Sequence, residues 1–338
     1  NTNNVSCITL HDSSSFTENI ILADSQHGKG VYLGDINDDG HLDIASASWN
    51  NDAISWYIND GNDNPTWSNS FLTQTADGAS DVHLADMDGD GDLDVVYSSF
   101  NDDTVGWVRN RINEGSPSSY QSINTSIDGV RDIEVADMDG DGDLDIVSAS
   151  SDDDVLMWYE NDGANIPSFT AINIANHGNL YQGLQDVDVG DLDGDGDLDI
   201  VSAGTEHDTL RWYKNDGNDN PTWSSITIDN STPGIWETEL ADIDNDGDLD
   251  IICGANAQNI LFWYENDGTS NPSWTKKIET DSTQIVDAHI ADIDGDGDLD
   301  IISGSSYDGS VIWYESNASN NYLVNAAQNG SDYVDKTG

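Results

Sequence analysis

Positive charge is what this chain most lacks. It has nine Lys and Arg against 66 Asp and Glu, a formal net charge of −57. Such a surface repels nucleic acid and anionic membrane, so neither is expected as a partner, and it attracts cations. Cysteine is nearly absent. Cys7 and Cys253 are the only two, too few for a disulfide framework, and a bridge between them is not expected. No stretch approaches the ~18 consecutive apolar residues of a membrane-spanning helix, so no membrane insertion is expected. Helical periodicity of useful length is also missing. The chain shows no leader segment and does not begin with Met, so it reads as a mature form or as a piece of a larger protein.

What is present is a repeat. The loops DINDDGHLD from Asp35, DMDGDGDLD from Asp86 and again from Asp137, DLDGDGDLD from Asp191, DIDNDGDLD from Asp242 and DIDGDGDLD from Asp292 follow one another every 50 to 54 residues. After each loop comes an apolar run such as IVSAS, then a Trp run such as LMWYEND, then a Gly/Pro turn such as NDGNDNPTW, then a short strand. Four short strands per repeat make an antiparallel blade, and the expected fold is an all-β propeller in a single domain. The repeats run approximately 28–78, 79–129, 130–180, 181–234, 235–284 and 285–330, with 1–27 and 331–338 closing the ring. YLVNAAQNGSDYVDKTG at the C-terminus aligns with FLTQTADGASDVHLAD, and VSCITL and FTENIILADS at the N-terminus look like two further strands. These predict a seven-bladed propeller, its seventh blade shared by the termini. The alternative is six blades, with an N-terminal strand completing the sixth.

The loop pattern D-x-D-x-D-G-x-x-D suits a hard dication that wants six to eight oxygens. Side-chain oxygens stand at positions 1, 3, 5 and 9, and position 7 can add its backbone carbonyl. Gly at position 6 permits the turn, and Leu at position 8 points into the core. The expected ligands are Asp35, Asn37, Asp39, His41 and Asp43 in the first loop and Asp86, Asp88, Asp90, Asp92 and Asp94 in the second. The third offers Asp137, Asp139, Asp141, Asp143 and Asp145, and the fourth Asp191, Asp193, Asp195, Asp197 and Asp199. The fifth offers Asp242, Asp244, Asp246, Asp248 and Asp250, and the sixth Asp292, Asp294, Asp296, Asp298 and Asp300. Crowded carboxylates repel one another without a cation, so metal binding is expected to couple to folding. A plain Asp/Gly turn gives position 9 no role. The ion expected is Ca²⁺, about six per chain; Mg²⁺ prefers a smaller octahedral shell. The first loop has Asn37 at position 3 and His41 at position 7, so it should bind more weakly. Six ions offset only part of the acidity, and a saline or calcium-rich exterior accounts for the rest.

These loops and strands resemble the FG-GAP and VCBS repeats, which are similar to the propeller of integrin α subunits and of some fungal and bacterial lectins. The resemblance covers about residues 16 to 335. It implies Ca²⁺ between strands 1 and 2 of a blade.

Other residues recur or cluster. The tryptophans Trp56, Trp107, Trp158, Trp212, Trp263 and Trp313 occur once per repeat and read as packing between blades. Trp67, Phe169, Trp223 and Trp274 follow the turn and read as lids. Polar residues three before each loop (Tyr32, His83, Glu134, Asp188, Glu239, His289) and acids five before (Asp81, Asp132, Asp186, Glu237, Asp287) line strand 1, where an acid/base pair such as His83 with Glu134 is conceivable. No common hydrolase or phosphate-binding motif occurs. The 2–3 and 4–1 connections vary between repeats, and variable loops on a rigid frame are where binding resides. They place Trp49, Asn50, Phe100, His177, Tyr181, His207, Trp236 and Tyr307 as candidate ligand contacts. The expected function is a secreted, calcium-stabilised binding module for a carbohydrate or an extracellular protein, as in adhesion. The alternatives are a polysaccharide-processing enzyme of lyase or dehydratase type, or a passive domain of a larger surface protein.

Overall fold

A computed structural model describes residues 21, 28–115, 118–177, 183–205, 209–281, 285–305, 311–317 and 322–325. Why these segments become strands is plain in the third blade. Asp145–Ser150 (DIVSAS) is buried at every residue, and Val155–Asn161 (VLMWYEN) at all but one. Such runs are apolar on both faces because both faces are covered. Val130–Ala136 mixes buried and half-buried residues, whereas Phe169–Asn176 is half-buried or exposed throughout, as suits an outer edge. Antiparallel pairing sets Trp158 opposite Val147, and the same register puts Trp107 opposite Val96 and Trp263 opposite Ile252.

This unit recurs in six four-stranded sheets, each with its strands in chain order. Among the described residues the fold is an all-β propeller of six blades, the alternative to the seven expected. The strand at Tyr322–Asn325 pairs with Val311–Asn317 and completes the sixth sheet. The start of the C-terminal segment thus supplies the fourth strand of the sixth blade, as the seven-blade reading also had it, and the residues expected to begin a seventh are not among those described. In the six-blade alternative that place belonged to an N-terminal strand; the C-terminal segment takes it. VSCITL, all of FTENIILADS except Ile21, and 326–338 lie outside the described residues, as do Cys7, Tyr181, His207 and Tyr307. Cys253 is buried. Among the described residues no helix is long and apolar enough to cross a membrane.

The chain groups into two compact units. One holds Ile21–Val189 and Tyr213–Ser225; the other holds Gly190–Trp212 and the described residues after Ser225. In the first unit the core lies between consecutive sheets: Ile54 and Trp56 meet Val82 and Tyr97, and Trp107 meets Ile133, Ile146 and Tyr159. In the second unit Trp212 packs with Ile235, Ile251 and Phe262, and Trp263 with Ile301 and Tyr314. The strand-3 tryptophans are thus core, with Trp313 half-buried. Phe169 and Trp274 meet the preceding blade's Trp107 and Trp212 edge-on, ring centroids 6.4 Å apart in both pairs.

Candidate metal centres

Each Asp loop is tied first to its own backbone. In the second loop Asp86 accepts the N–H of Asp90 on Oδ1 (3.0 Å) and that of Gly91 on Oδ2 (2.9 Å). Asp90 in turn accepts the N–H of Asp92 (3.0 Å). The same bonds recur from Asp35, Asp191, Asp242 and Asp292. Gly91 sits at φ 94° and its counterparts at 86° to 100°, a left-handed backbone that a side chain would strain. Position 8 behaves as expected in most blades, since Leu93, Leu144, Leu249 and Leu299 pack on the core; Leu42 is instead exposed.

Position 9 has a second occupation. Asp43, Asp94, Asp145, Asp199, Asp250 and Asp300 are at most 1% exposed. Asp145 accepts the N–H of Met138 (3.1 Å) and of Asn161 at the end of strand 3 (2.8 Å). Asp94 does the same with Met87 and Asn110, and also takes the indole N–H of Trp107 (3.0 Å). A plain turn therefore does explain position 9: it pins loop, strand 2 and strand 3 together. The strand-3 Asn adds a clamp that the sequence reading missed. Asn110 Nδ2 donates to Leu93 O (2.9 Å) and to Ile36 O of the preceding blade (2.7 Å). Asn161 reaches Met87 O, Asn215 Met138 O and Asn266 Leu192 O in the same way. The signal was the repeated Asn of YEND and YKND, which reads as an ordinary turn residue.

Do these loops suit a dication? Five of them bring three carboxylates together, with ligand atoms all within 4.8 Å of one another: Asp86, Asp88 and Asp90; Asp137, Asp139 and Asp145; Asp191, Asp193 and Asp199; Asp242, Asp244 and Asp246; Asp292, Asp294 and Asp300. Oxygens that accept one N–H keep a lone pair for a cation. Asp244 Oδ1 is buried with no hydrogen-bond partner at all, which is what a ligand oxygen without its ion looks like. The donor set is all oxygen and fits Ca²⁺. The side chain of position 7 belongs to none of these clusters. Asp143 and Asp248 instead lie against Gly163 and Gly268 of the NDG turn, where an added Cβ would come within 2.0 Å of a carboxylate oxygen. His41 lies against Gly61 likewise, so loop and turn share one side of a blade.

A further position bears on four of the loops, the residue two after the Trp. It is Ile58, Arg109, Glu160, Lys214, Glu265 and Glu315 in turn. Glu160 adds its charge to the repulsion on Asp139, and Glu265 adds its own to that on Asp244. Glu265 is also paired with Lys277 (2.5 Å). In the second blade the position is reversed in sign. Arg109 Nη2 donates to Asp90 Oδ2 (2.7 Å), and its Nε makes an ion pair with Asp88 Oδ2 at 2.6 Å.

Two groups of carboxylates titrate oppositely. Burial pushes Asp94, Asp145 and Asp250 up to about 7, against the N–H bonds they accept. Hydroxyl bonds from Thr66, Thr222 and Ser273 hold Asp60, Asp216 and Asp267 of the NDG turns down to about 2. The first group favours folding below the unfolded carboxyl range and loses that contribution as pH rises through about 7. The second contributes above that range and loses it as pH falls towards about 2. Calcium-free protein is therefore expected to melt highest near pH 4 to 5 and lower on either side. With calcium restored, the decline above pH 5 should vanish, because the ion favours the charged form. Calorimetry across pH 2 to 8 checks this, and a calcium-free melting temperature that climbs from pH 5 to 8 would refute it.

The opposite end of a blade carries the other connections. Phe100 N bonds Gly78 O (3.0 Å), Ser151 N bonds Gly129 O (2.9 Å) and Asn256 N bonds Gly234 O (2.9 Å), so in three blades the 2–3 turn is zipped to the 4–1 connection that leads into the blade. These turns vary in sequence yet keep one left-handed residue: Asp52, Asp103, Asp154 and Asn259, with φ from 53° to 59°. Of the candidate ligand contacts, Trp49 and Phe100 come together, ring centroids 5.3 Å apart. Lys29 lies over Trp49 (5.6 Å) and Arg131 over Phe100 (4.6 Å). Asn50 is exposed beside Trp49 in the short turn Trp49–Asn51. His177 is engaged elsewhere, at 2.9 Å from Tyr213 Oη, and Trp236 is half-buried on strand 1 of the fifth blade. On strand 1, His83 Nε2 is 3.5 Å from Asp81 and 3.8 Å from Glu134. Burial, then neighbouring carboxylates, pushes Glu134 and Asp132 well above the ordinary range.

Comparison with known proteins bears on this arrangement. The profile of the FG-GAP-like repeat matches residues 35–97, 137–202, 191–253 and 242–303. No curated protein matches the chain. Among solved structures, one similar in fold is a lectin from Agrocybe aegerita described as specifically recognising non-reducing terminal N-acetylglucosamine. It is 18% identical with a TM-score of 0.61, covering 90% of this chain and 81% of that one. A protein from Lactobacillus plantarum aligns at 13% identity and TM-score 0.58, over 84% of this chain and 80% of its own. Virginiamycin B lyase from Staphylococcus aureus aligns at 11% identity and TM-score 0.56, over 89% of this chain and 84% of its own. At these identities the likeness shows the fold alone.

Proposed function

Because this chain belongs to the FG-GAP-like repeat family, we propose that it is a secreted propeller, stabilised by Ca²⁺ in its Asp loops, that binds a carbohydrate. The observation carrying the ligand reading is the Trp49–Phe100 pair with Lys29 and Arg131 laid over its rings. Aromatic faces stack on the apolar faces of sugar rings, and nearby donors fix the hydroxyls. In a chain with nine basic residues, two of them at one aromatic pair favour a sugar carrying a carboxylate or sulfate. The lectin of similar fold supports the class of ligand. The loops stand at the other end of the blade, so the ion's role is to hold the frame.

A glycan array probed with and without chelator tests the reading. Wild-type protein is expected to bind acidic glycans in calcium. Trp49→Ala is expected to lose about tenfold or more in affinity, the order of one lost aromatic stack, with melting temperature and calcium uptake unchanged. Binding unaffected by Trp49→Ala would move the site elsewhere. The runner-up, a polysaccharide-processing enzyme, draws on His83, Glu134 and Asp132 of strand 1. Cleaved glycans in the same experiment would favour it.

A further inference from the structure

We propose that Arg109 is the built-in cation of the second loop, so that this loop takes up no calcium although its nine residues are identical to those of the third. The proposal rests on the reading that the loops bind Ca²⁺. Both loops read DMDGDGDLD, from Asp86 and from Asp137, and both gather three carboxylates. The difference lies on strand 3, where the residue two beyond the Trp is Arg109 in one blade and Glu160 in the other.

The guanidinium lies among the loop's own ligands. Its Nε is 2.6 Å from Asp88 Oδ2 and its Nη2 is 2.7 Å from Asp90 Oδ2, and the side chain of Asp88 is fully buried. A guanidinium keeps its charge at any physiological pH. A dication sharing Asp88 and Asp90 would face that positive charge at close range. In the third blade the same strand position adds a negative charge beside Asp139. The two identical loops therefore differ by two charges at one point.

The turn after strand 3 is rebuilt around the arginine. Where four of the other blades have the NDG turn, this one runs NRINEG. Glu114 lies 3.6 Å from Arg109 Nη2 and 2.7 Å from Arg111 Nη2. Asn113 Nδ2 donates to Asp92 Oδ1 of the loop (2.8 Å). Arginine, loop and turn form one charge network, in which Arg109 Nε meets the buried Asp88 Oδ2 as an ion pair without hydrogen-bond geometry.

Native mass spectrometry of the full chain in calcium counts the ions. Arg109→Glu is expected to add one ion to the wild-type number, and Glu160→Arg to remove one. Counts unchanged in both variants would overturn the proposal. No calcium on any of the three proteins would overturn the loop reading beneath it instead. Should a variant not fold, hydrogen exchange on wild-type protein decides. Amides of 137–145 are expected to gain protection when calcium is added while those of 86–94 do not; equal gains in both loops would sink the idea.

Discussion

Removing calcium is expected to lower the melting temperature further than any single substitution in the molecule. A ligand that binds only the folded state stabilises it by about 2.7 kcal/mol per site at one hundred times Kd. Several independent loops then sum to on the order of 10 kcal/mol, comparable with the entire stability of an ordinary domain. The ion-free protein also keeps its repulsion, because three carboxylates stay crowded in each of four loops besides the one that holds Arg109 and Glu160, Glu265 and Glu315 press further charge on three of them. Differential scanning calorimetry in millimolar calcium and after dialysis against chelator measures the effect. A shift of tens of degrees is expected, and coincident curves would refute the coupling of metal to fold. High salt without calcium should recover only part of the loss, since it screens charge without supplying ligand geometry.

The second large effect belongs to one buried carboxylate. Asp145→Ala removes the acceptor for two backbone N–H groups, those of Met138 and Asn161, in a place sealed from water. A buried donor left unpaired costs about 1–3 kcal/mol, so about 2–6 kcal/mol is expected from the pair. The measurement should be made in calcium-free buffer, where the loss of a metal ligand does not contribute. Urea denaturation showing a loss under about 1 kcal/mol there would mean that position 9 is only a ligand and that its strand-pinning bonds add nothing. Asn at this position is a poor substitute, because its amide turns a donor towards one of the two N–H groups.

The fold was legible because one rule is written six times. The Asp loops, the apolar strand 2 and the Trp of strand 3 could each be read alone as accident, but their common period could not. The seventh blade was misread for the same reason. YLVNAAQNGSDYVDKTG resembles the end of one repeat and the beginning of the next; Tyr322–Asn325 forms the outer strand of the sixth blade, and six sheets are found among the described residues. At the metal centres, residues within one loop were visible and partners from another strand were not. Asn110 lies 16 residues from Asp94, and only the hairpin register joins them. Arg109 was hidden likewise, since nothing in DMDGDGDLD shows what strand 3 will lay against it. The variable turns were read by their sequence alone. Trp49 and Phe100 converge as variable-loop residues should, but the turns bearing them prove as regular as the Asp loops once their left-handed residue is seen.

The asparagine clamps give the repeat a direction. Asn110, Asn161, Asn215 and Asn266 each reach back to a carbonyl of the blade before, at Ile36, Met87, Met138 and Leu192. None of these amides reaches forward. At the matching place in the sixth blade stands Ser316, which keeps the backbone bond to Asp300 (2.8 Å) but carries no amide. The array is therefore polar in the way a filament is. Removing the first blade takes from Asn110 one of its two carbonyl partners, whereas none of these four clamps ends on the sixth. The clamps thus make each blade depend on the one before it and not on the one after.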